Sequence, residues 1–410
     1  MPALPLAAPR GLRDLLPEAT ASIAAMQRRL SAGFELAGYQ RVTTPAFEYA
    51  DVLERGLEVD RNQVVRFVEP DTGEVALLRP DITPQIARIV ATRLSSRPAP
   101  YRLSYQGTVI RRKEGRARRS RMAAQAGIEL IGVDGIDGDL EVMRLACQAL
   151  HRLGLPTWNL ELGEVAIARH ALASVPKEER QGATEALAQK DRHLLSEFAE
   201  RGKLSAEETD RLLSLVDLYG GREVIDSARQ RFPTFKTELD ALDEAFAAIE
   251  KELDGSGATV SIDLGELRGH GYYTGLSFSL LAPGPGARLG GGGRYDGLLA
   301  SFGADLPATG FGIDLHHLEW ALSKAGNPPA TSARLRAIVI GETPELQNLR
   351  DTGICAAHVS GDADFALAYA RAWGYDVVIE GEEICRVLDG ARRSAAAMDS
   401  DETRAWARGE

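Results

Sequence analysis

The spacing of apolar and polar residues over the first hundred positions predicts alternating helices and strands. Apolar residues recur at helical spacing over 18–39 and again over 82–94, and the first run meets Gly38, a residue typical of a helix C-cap. Between them, a β-rich run over 41–49 is interrupted by a proline, and residues 64–80 form two β-rich runs around a turn. The pattern therefore predicts helix, broken strand, hairpin and helix, in that order.

Residues 100–133 stand out because two apolar and aromatic runs flank a tip rich in glycine and arginine. Residues 110–122 hold seven Arg or Lys within thirteen positions. The pattern predicts a long hairpin that enters and leaves the core. Two interpretations of the basic tip stay open, a solvated loop and a contact surface for an anionic partner. The arginines that would make such a contact are Arg116, Arg118, Arg119 and Arg121.

The composition and the spacing of apolar residues change twice in the remainder of the chain. A charge-rich stretch over about 175–255 has leucines at helical spacing and almost no strand pattern, which we interpret as a helical insertion. Strand patterns return after it. A linker rich in Pro, Ser, Thr and Asn spans 323–332, and residues 333–410 alternate strand and helical patterns, as in a small α/β domain. The predicted organisation is a first domain over 1–322 that contains the insertion, then the linker, then the small domain.

Composition and charge narrow the classes of function. The formal net charge of −11 at pH 7 argues against general affinity for polyanions and confines any nucleic-acid contact to a local patch. Three widely spaced cysteines form neither a disulfide framework nor a zinc-binding spacing, and they fit a reducing compartment. No signal-peptide pattern and no run of about 18 apolar residues occurs in the sequence. We therefore expect a cytoplasmic protein without a membrane segment.

Two local motifs have both a functional and a structural interpretation. Gly290–Gly293 resembles a phosphate-cradling loop but lacks the Lys-Ser/Thr ending of a P-loop, so we interpret it as a tight strand connection where the backbone approaches a neighbour closely. His316 and His317 suggest a metal site, but adjacent helical residues point about 100° apart, so we interpret them as histidines on a helix surface. We predict no metal and no cofactor.

The order of these segments resembles the catalytic core of the class II aminoacyl-tRNA synthetases, and specifically of histidyl-tRNA synthetase, over about residues 8–322. The resemblance rests on "RGLRDLLP", on "GYQRVTTPAFEYADVLERG" as motif 1, on "LLRPDITPQIAR", on the Arg-rich hairpin as motif 2, on "LRGHGYYTGLSF" and "GGGRYDGLL" as histidine signatures, and on "GFGIDLHHL" as motif 3. It implies an α+β fold in which an antiparallel sheet is flanked by helices. It also implies that the C-terminal domain is a shortened relative of an anticodon-binding domain.

The departures from this family fall mainly on the ATP-binding motifs. Motif 2 keeps its first arginine as Arg111, but Lys113 replaces the acidic residue that helps to hold adenine, and Ala123 replaces an aromatic residue near it. In motif 3, His317 stands in place of the arginine that binds the γ-phosphate, and Gly271 replaces the aspartate of the first histidine signature. Because phosphoryl chemistry depends on fixed cationic groups, the resemblance implies poor ATP binding and no aminoacylation.

The residues that bind histidine in the family are largely kept. Asp81 replaces the family's usual glutamate and is one methylene shorter. An acid with neutral acceptors suits an ammonium group, a carboxylate accepts from a ring N–H, and an arginine binds an anion. The resemblance predicts Asp81, Thr83 and Gln125 at the α-ammonium, Glu129 and Tyr273 at the imidazole, Arg268 at the carboxylate side, and Arg111 and Tyr272 elsewhere in the pocket.

A synthetase-like chain that keeps a histidine pocket but loses the ATP machinery resembles the family of regulatory subunits of ATP phosphoribosyltransferase. The resemblance implies a non-catalytic subunit that is required, together with a short-form catalytic subunit, for the first step of histidine biosynthesis. It implies feedback inhibition with L-histidine as effector, and a homodimer through motif 1 inside a hetero-oligomer. The C-terminal segment carries no basic surface suited to tRNA, so we predict no tRNA partner.

Two other functions stay open on the sequence alone. One is a divergent but active histidyl-tRNA synthetase, which histidine-dependent pyrophosphate exchange would reveal. The other is a histidine-sensing paralogue that controls a different enzyme. The sequence also leaves two sites for a regulatory histidine, the synthetase-like pocket and a subunit interface.

Overall fold

The computed structural model of the chain describes residues 6, 8–9, 11–56, 64–111, 121–267, 271–329, 334–341, 345–395 and 401–409. The predicted contact residues Arg116, Arg118 and Arg119 lie outside the described residues, as do Lys113 and Arg268. The chain divides into two compact units, Met1–Pro329 and Ala330–Glu410.

The first unit combines helices with a nine-stranded and a three-stranded sheet. Its helices are α1 Pro17–Leu36, α2 Ala50–Gly56, α3 Thr83–Arg93, α4 Gly135–Leu153, α5 Val165–Ala173, α6 Arg180–Ala188, α7 Arg192–Arg201, α8 Ala206–Ser214, α9 Glu223–Arg231, α10 Lys236–Leu253, α11 Asp296–Ala300 and α12 Leu315–Lys324. Its strands are β1 Gln40–Val42, β2 Phe47–Tyr49, β3 Arg66–Val68, β4 Val75–Leu78, β5 Tyr101–Ile110, β6 Met122–Ile131, β7 Asn159–Glu164, β8 Tyr219–Gly220, β9 Thr259–Asp263, β10 Leu276–Leu281, β11 Gly290–Arg294 and β12 Ala308–Asp314.

The large sheet has the strand order β1-β5-β6-β12-β11-β10-β7-β9-β8. Its pairs are antiparallel except β1 with β5 and β7 with β9. The predicted α+β class is therefore confirmed. The long hairpin predicted over 100–133 is β5 and β6, and the hairpin predicted over 64–80 is β3 and β4, both antiparallel.

The glycine run is a strand of this sheet, so its interpretation as a connection between strands was wrong. β11 lies between β10 and β12 and pairs with both along its length. The close backbone approach is present, because a Cβ at Gly291 would lie 2.5 Å from the carbonyl oxygen of Phe278 on the neighbouring strand. The error arises because strand patterns are carried by alternating side chains, which glycines lack.

Because successive side chains of a strand point to opposite sides, the large sheet has two different faces. On one face, β6 and β12 bury Ile128, Leu130, Phe311 and Ile313 against a core that includes α1, α4 and α10. Residues that lie between these along the same strands point to the opposite face. That second face carries the polar side chains of the site described below, so the helical core fixes the strands that position it.

The buried acid Glu164 lies at the junction of β7 and α5. Glu164 is only 3% exposed, and its carboxylate accepts a hydrogen bond from the amide of Ala166 at 3.0 Å, which caps the helix. Burial raises its pKa to about 8. Since this is above the usual value of the unfolded chain, the folded state holds the proton more tightly, and the free energy of unfolding falls as the pH rises from about 4.5 through about 8.

We expect Glu164→Gln to remove this pH dependence, because the amide keeps a cap acceptor but carries no charge. The variant should match the parent near pH 5 and exceed its free energy of unfolding by about 4 kcal/mol at pH 9. Urea unfolding at both pH values measures the difference, with the exposed Glu35→Gln on α1 as a control. An equal difference at pH 5 and pH 9 would contradict the assignment.

The second unit is a five-stranded sheet with helices, in the order β14-β13-β15-β16-β17. The first three strands are parallel and the last two pair antiparallel, and apolar clusters cover both faces. The last two strands were not predicted from the sequence. The elements are β13 Arg336–Ile340, α13 Glu345–Asp351, β14 Cys355–Val359, α14 Ala363–Trp373, β15 Val377–Glu380, β16 Glu383–Arg386, β17 Arg392–Ser394 and α15 Asp401–Arg408.

Across the described parts of both units, no helix combines the length and the apolar character needed to cross a membrane.

Candidate functional site

A cavity of about 720 Å³ opens on the second face of the large sheet. Its floor comes from β5, β6, β10, β11 and β12, and the start of α3 and the segment before β10 form its walls. The cavity brings together seven of the eight residues predicted to bind histidine, and the eighth, Arg268, lies outside the described residues. The seven are Asp81, Thr83, Arg111, Gln125, Glu129, Tyr272 and Tyr273.

Strand register aligns the polar floor with glycines on the next strand. Gln125 and Glu129 are four residues apart on β6 and therefore share a face. Gly310 of β12 pairs with Glu129, and Gly312 pairs with Gly127. A Cβ at Gly310 would overlap the Glu129 carboxylate, and one at Gly312 would lie 2.9 Å from the Tyr105 hydroxyl. The glycines of β12 thus provide the space that the acid and the tyrosine occupy.

Glu129 forms the deep acidic end of the cavity. It is 1% exposed, and its carboxylate accepts hydrogen bonds from the Thr83 hydroxyl at 2.5 Å and from the Tyr295 hydroxyl. Burial is the main cause that raises its pKa to about 8, with the charge of Asp81 adding to the rise and the two hydroxyl donors opposing it. A carboxyl with such a pKa exchanges its proton readily near neutral pH and can face either a neutral or a cationic N–H group.

Asp81 forms a second acidic end, at the start of α3. Its carboxylate accepts from the amide of Ile82 at 2.8 Å and from the Tyr272 hydroxyl at 2.7 Å. Nearby, the side-chain oxygen Oε1 of Gln125 is buried and meets no hydrogen-bond donor among the described residues. A buried acceptor without a donor costs roughly 1–3 kcal/mol, which favours a ligand that donates there. The two side chains together suit an ammonium group.

Aromatic rings separate and surround the two acids. The rings of Tyr272 and Tyr273 pack edge to face with centroids 5.0 Å apart, and those of Tyr272 and Tyr295 do so at 5.5 Å. Burial raises the pKa of Tyr273, and the positive charge of Arg288 partly offsets this rise. These rings give the cavity an aromatic wall, and the hydroxyls of Tyr272 and Tyr295 donate to the two acids.

The residues from motifs 2 and 3 lie at the mouth of the cavity. Arg111 donates from Nε to the carbonyl oxygen of Pro80 at 2.7 Å, which holds its side chain beside the loop that carries Asp81. His317 lines the same mouth, with Nδ1 2.9 Å from the carbonyl oxygen of Arg288. Arg121, predicted as a partner contact, lines an adjoining cavity.

The two histidines lie on helix α12, as the sequence analysis expects, but they are not fully exposed. Both are only partly exposed on α12, and both ring nitrogens of His316 are buried. The cause is the first turn of α12, which packs under the mouth of the cavity after Asp314 caps the helix by accepting from the amides of both histidines. Among the residues that the structure describes, no three His, Cys, Asp or Glu side chains could jointly hold a metal ion.

Several side chains that line the cavity were not identified from the sequence, among them Tyr295, Tyr105 and Arg288. Tyr295 contacts Glu129, Tyr105 contacts the carbonyl oxygen of Phe311 at 3.4 Å, and Arg288 reaches the wall beside Tyr273. Tyr295 belongs to the motif "GGGRYDGLL", which was noticed without a role for its tyrosine. Tyr105 and Arg288 carry no local signal, because only the pairing of distant strands brings them to the cavity.

The sequence model of the histidyl-tRNA synthetase family matches residues 11–318. A regulatory subunit of ATP phosphoribosyltransferase from Moorella thermoacetica is 40% identical over 396 residues, which cover 92% of this chain and 99% of the relative. One from Anaeromyxobacter dehalogenans is 43% identical over 324 residues, which cover 78% of this chain and 93% of the relative.

Solved structures give the same picture of the fold. An ATP phosphoribosyltransferase regulatory subunit/histidyl-tRNA synthetase from Bacillus halodurans superposes with a TM-score of 0.76 at 28% identity, covering 92% of this chain and 98% of that chain. The histidyl-tRNA synthetase from Nostoc superposes with a TM-score of 0.77 over 98% of this chain and 100% of that chain. Its identity of 18% supports the fold alone.

Proposed function

This chain belongs to the family of ATP phosphoribosyltransferase regulatory subunits, which share the histidyl-tRNA synthetase fold, and from that premise we propose what it binds and controls. It assembles with a short-form catalytic subunit, enables the first step of histidine biosynthesis, and conveys inhibition by L-histidine bound in the 720 Å³ cavity. It has no aminoacylation activity of its own. Its cytoplasmic location stays a prediction from the cysteine spacing.

The observation that carries the proposal is the pairing of two acidic ends in one cavity. The Asp81 carboxylate and the unpartnered Oε1 of Gln125 suit the α-ammonium, whereas Glu129 suits an imidazole N–H. The tyrosine rings that line the same cavity give an apolar wall against which a flat ring can pack. L-Histidine has these three groups in one small molecule, and this supports it as the ligand.

Inhibition at a distance requires that histidine bind one arrangement of the complex more tightly than another. The cavity provides a physical basis for such a preference, because its two ends come from different elements. Asp81 lies two residues before α3, and Glu129 belongs to β6. The Thr83–Glu129 hydrogen bond already joins α3 to the sheet, and a ligand that bridges Asp81 and Glu129 would strengthen this connection. We propose that the position of α3 is what the catalytic subunit senses.

Reconstitution with the catalytic subunit tests the proposal. We expect the purified short-form catalytic subunit to transfer the phosphoribosyl group to ATP much faster when this chain is added, and L-histidine to reduce that rate. Thr83→Val removes one hydroxyl from the Glu129 end without adding volume, and it should keep the activation while weakening the inhibition. If the two proteins co-elute but this chain does not activate the catalytic subunit at the same concentrations, the proposed role is contradicted.

We also propose a homodimer through the motif 1 region. The small sheet β2-β4-β3 leaves apolar side chains exposed on the surface, including Val68 at 62% and Phe47 at 42%. Such a patch is typical of an interface rather than of a free surface. Light scattering after gel filtration should give a dimer for the parent chain and a monomer for Val68→Asp, with Val75→Thr as a milder control.

A divergent synthetase is the second candidate, because the histidyl-tRNA synthetase family model covers the whole cavity-forming region. We expect no histidine-dependent exchange of pyrophosphate into ATP, since His317 and Ala123 stand where the family has an arginine and an aromatic residue. Measurable exchange that requires Glu129 would favour the synthetase.

A further inference from the structure

Helix α14 of the second unit leaves an aromatic face exposed. Its inward side carries Ala366 and Ala370, which are buried in an apolar cluster with the five-stranded sheet. On the outward side, Phe365 and Trp373 are each 50% exposed. Tyr369 lies between them, with its ring centroid 6.3 Å from that of Phe365 and 6.1 Å from that of Trp373. Because these three residues are four apart, their rings form a continuous ridge along one side of the helix.

Small residues lie beside this aromatic ridge. Ala368 and Ala372 are both exposed on α14. Ala368 follows Phe365 by three positions, and Ala372 follows Tyr369 by three, so each alanine is a neighbour of a ring on the helix surface. The alanines therefore leave a shallow groove next to the ridge. A two-fold contact between identical chains requires a patch that is complementary to itself, and a ridge beside a groove meets this requirement.

The charges at the edge of the face favour an antiparallel arrangement of two copies. Asp364 and Arg371 are seven residues apart, so they lie on the same edge of α14, one towards each end. Both are exposed, and neither forms an ion pair with another described residue. When two α14 helices pair antiparallel near Ala368, the Asp364 of each copy lies opposite the Arg371 of the other. The same arrangement places each Phe365 ring over the alanine groove of the other copy.

We propose that this face of α14 binds a second copy of the same chain through an antiparallel helix pair. A single-stranded nucleic acid would also stack on exposed rings, but Asp362 and Asp364 at one end of the ridge repel phosphates. The helix is about 16 Å long, so the face is small beside the roughly 800 Å² per partner of a stable interface. The contact is therefore weak, forms at high protein concentration, and is separate from the motif 1 surface.

Disulfide cross-linking of the full chain tests the contact. Ala368→Cys is placed in a background in which Cys355→Ser and Cys385→Ser remove the two native cysteines that are not buried. Helices that pack through alanines approach closely enough for a disulfide. We expect mild oxidation of a concentrated solution to give covalent dimers about tenfold faster than with Ala206→Cys, an exposed control on α8. Val68→Asp should leave this rate unchanged, which distinguishes the contact from the proposed motif 1 dimer.

Exchange of the two charges tests the antiparallel arrangement. Asp364→Arg and Arg371→Asp each put like charges opposite one another, and each should slow the Ala368→Cys cross-link about fivefold. The double variant places opposite charges together again and should recover the parent rate, a result that a different partner on this face would not produce. Phe365→Ser should slow the cross-link as well. The proposal is overturned if Ala368→Cys cross-links no faster than the control, or if the double variant stays as slow as the single variants.

Discussion

Gly310→Ala is expected to abolish histidine binding and to lower the free energy of unfolding by about 3 kcal/mol. The new Cβ would overlap the Glu129 carboxylate and lie 2.5 Å from the backbone oxygen of Ile128. The carboxylate cannot withdraw, because Thr83 and Tyr295 hold it from the other side. The backbone oxygen cannot withdraw without separating β6 from β12. Urea unfolding and calorimetric titration of L-histidine measure the two effects.

Gly297→Ala is the matched control for that substitution. Gly297 lies on α11, and the nearest atom to its added Cβ is Thr274 Cγ2 at 4.0 Å, which is ordinary van der Waals contact. Alanine is also the better helix former, so the control should be as stable as the parent or slightly more stable. A Gly310→Ala variant that binds histidine normally would show that the close approach of the glycine strand to Glu129 does not shape the pocket.

Glu129→Gln is expected to reduce the affinity for L-histidine about 100-fold or more while leaving the fold at least as stable as the parent. The parent carboxyl, with its pKa raised to about 8 by burial, can give its proton to the imidazole and then face an imidazolium as a carboxylate. An amide of the same shape cannot form that ion pair. It also removes a charge that is costly to bury, so the free energy of unfolding should not fall at any pH above about 5.

The opposite effects on binding and stability make this variant informative. Calorimetric titration gives the affinity, and urea unfolding at pH 7 and pH 9 gives the stability. The exposed Glu35→Gln is the control and should change neither. Unchanged affinity in a folded Glu129→Gln protein would indicate that the regulatory histidine binds at a subunit interface and not in this pocket. Lost affinity together with lost stability would mean that the acid is needed for folding rather than for recognition.

Local patterns in the sequence were enough for most elements of the fold. Helical spacing predicts α1 and α3, and alternation around turn residues predicts the two hairpins, because each depends on residues that are near one another in sequence. The same reasoning failed for β11, whose glycines carry no alternation, and for β16 and β17 at the end of the chain. These strands are defined by their partners, which supply the hydrogen bonds and the packing.

The sequence alone, through its resemblance to the synthetases, also determined which residue types form the candidate site. It identified the acids, the glutamine and the paired tyrosines, and the structure brings seven of these predicted residues around one cavity. Whether they bind histidine stays a prediction. The sequence could not show which side chains hydrogen-bond to each site residue. Tyr295 and Glu129, for example, are 166 residues apart and meet only through the pairing of β6, β12 and β11.

Only the tertiary structure decided the electrostatic character of the site. The raised pKa of Glu129 follows from its burial by surrounding elements, and the space it occupies exists because glycines face it across the sheet. The burial of His316 likewise depends on how the first turn of α12 packs under the mouth of the cavity. The physical reason is the same in each case: desolvation and close packing depend on all the neighbours in space, and local sequence does not encode them.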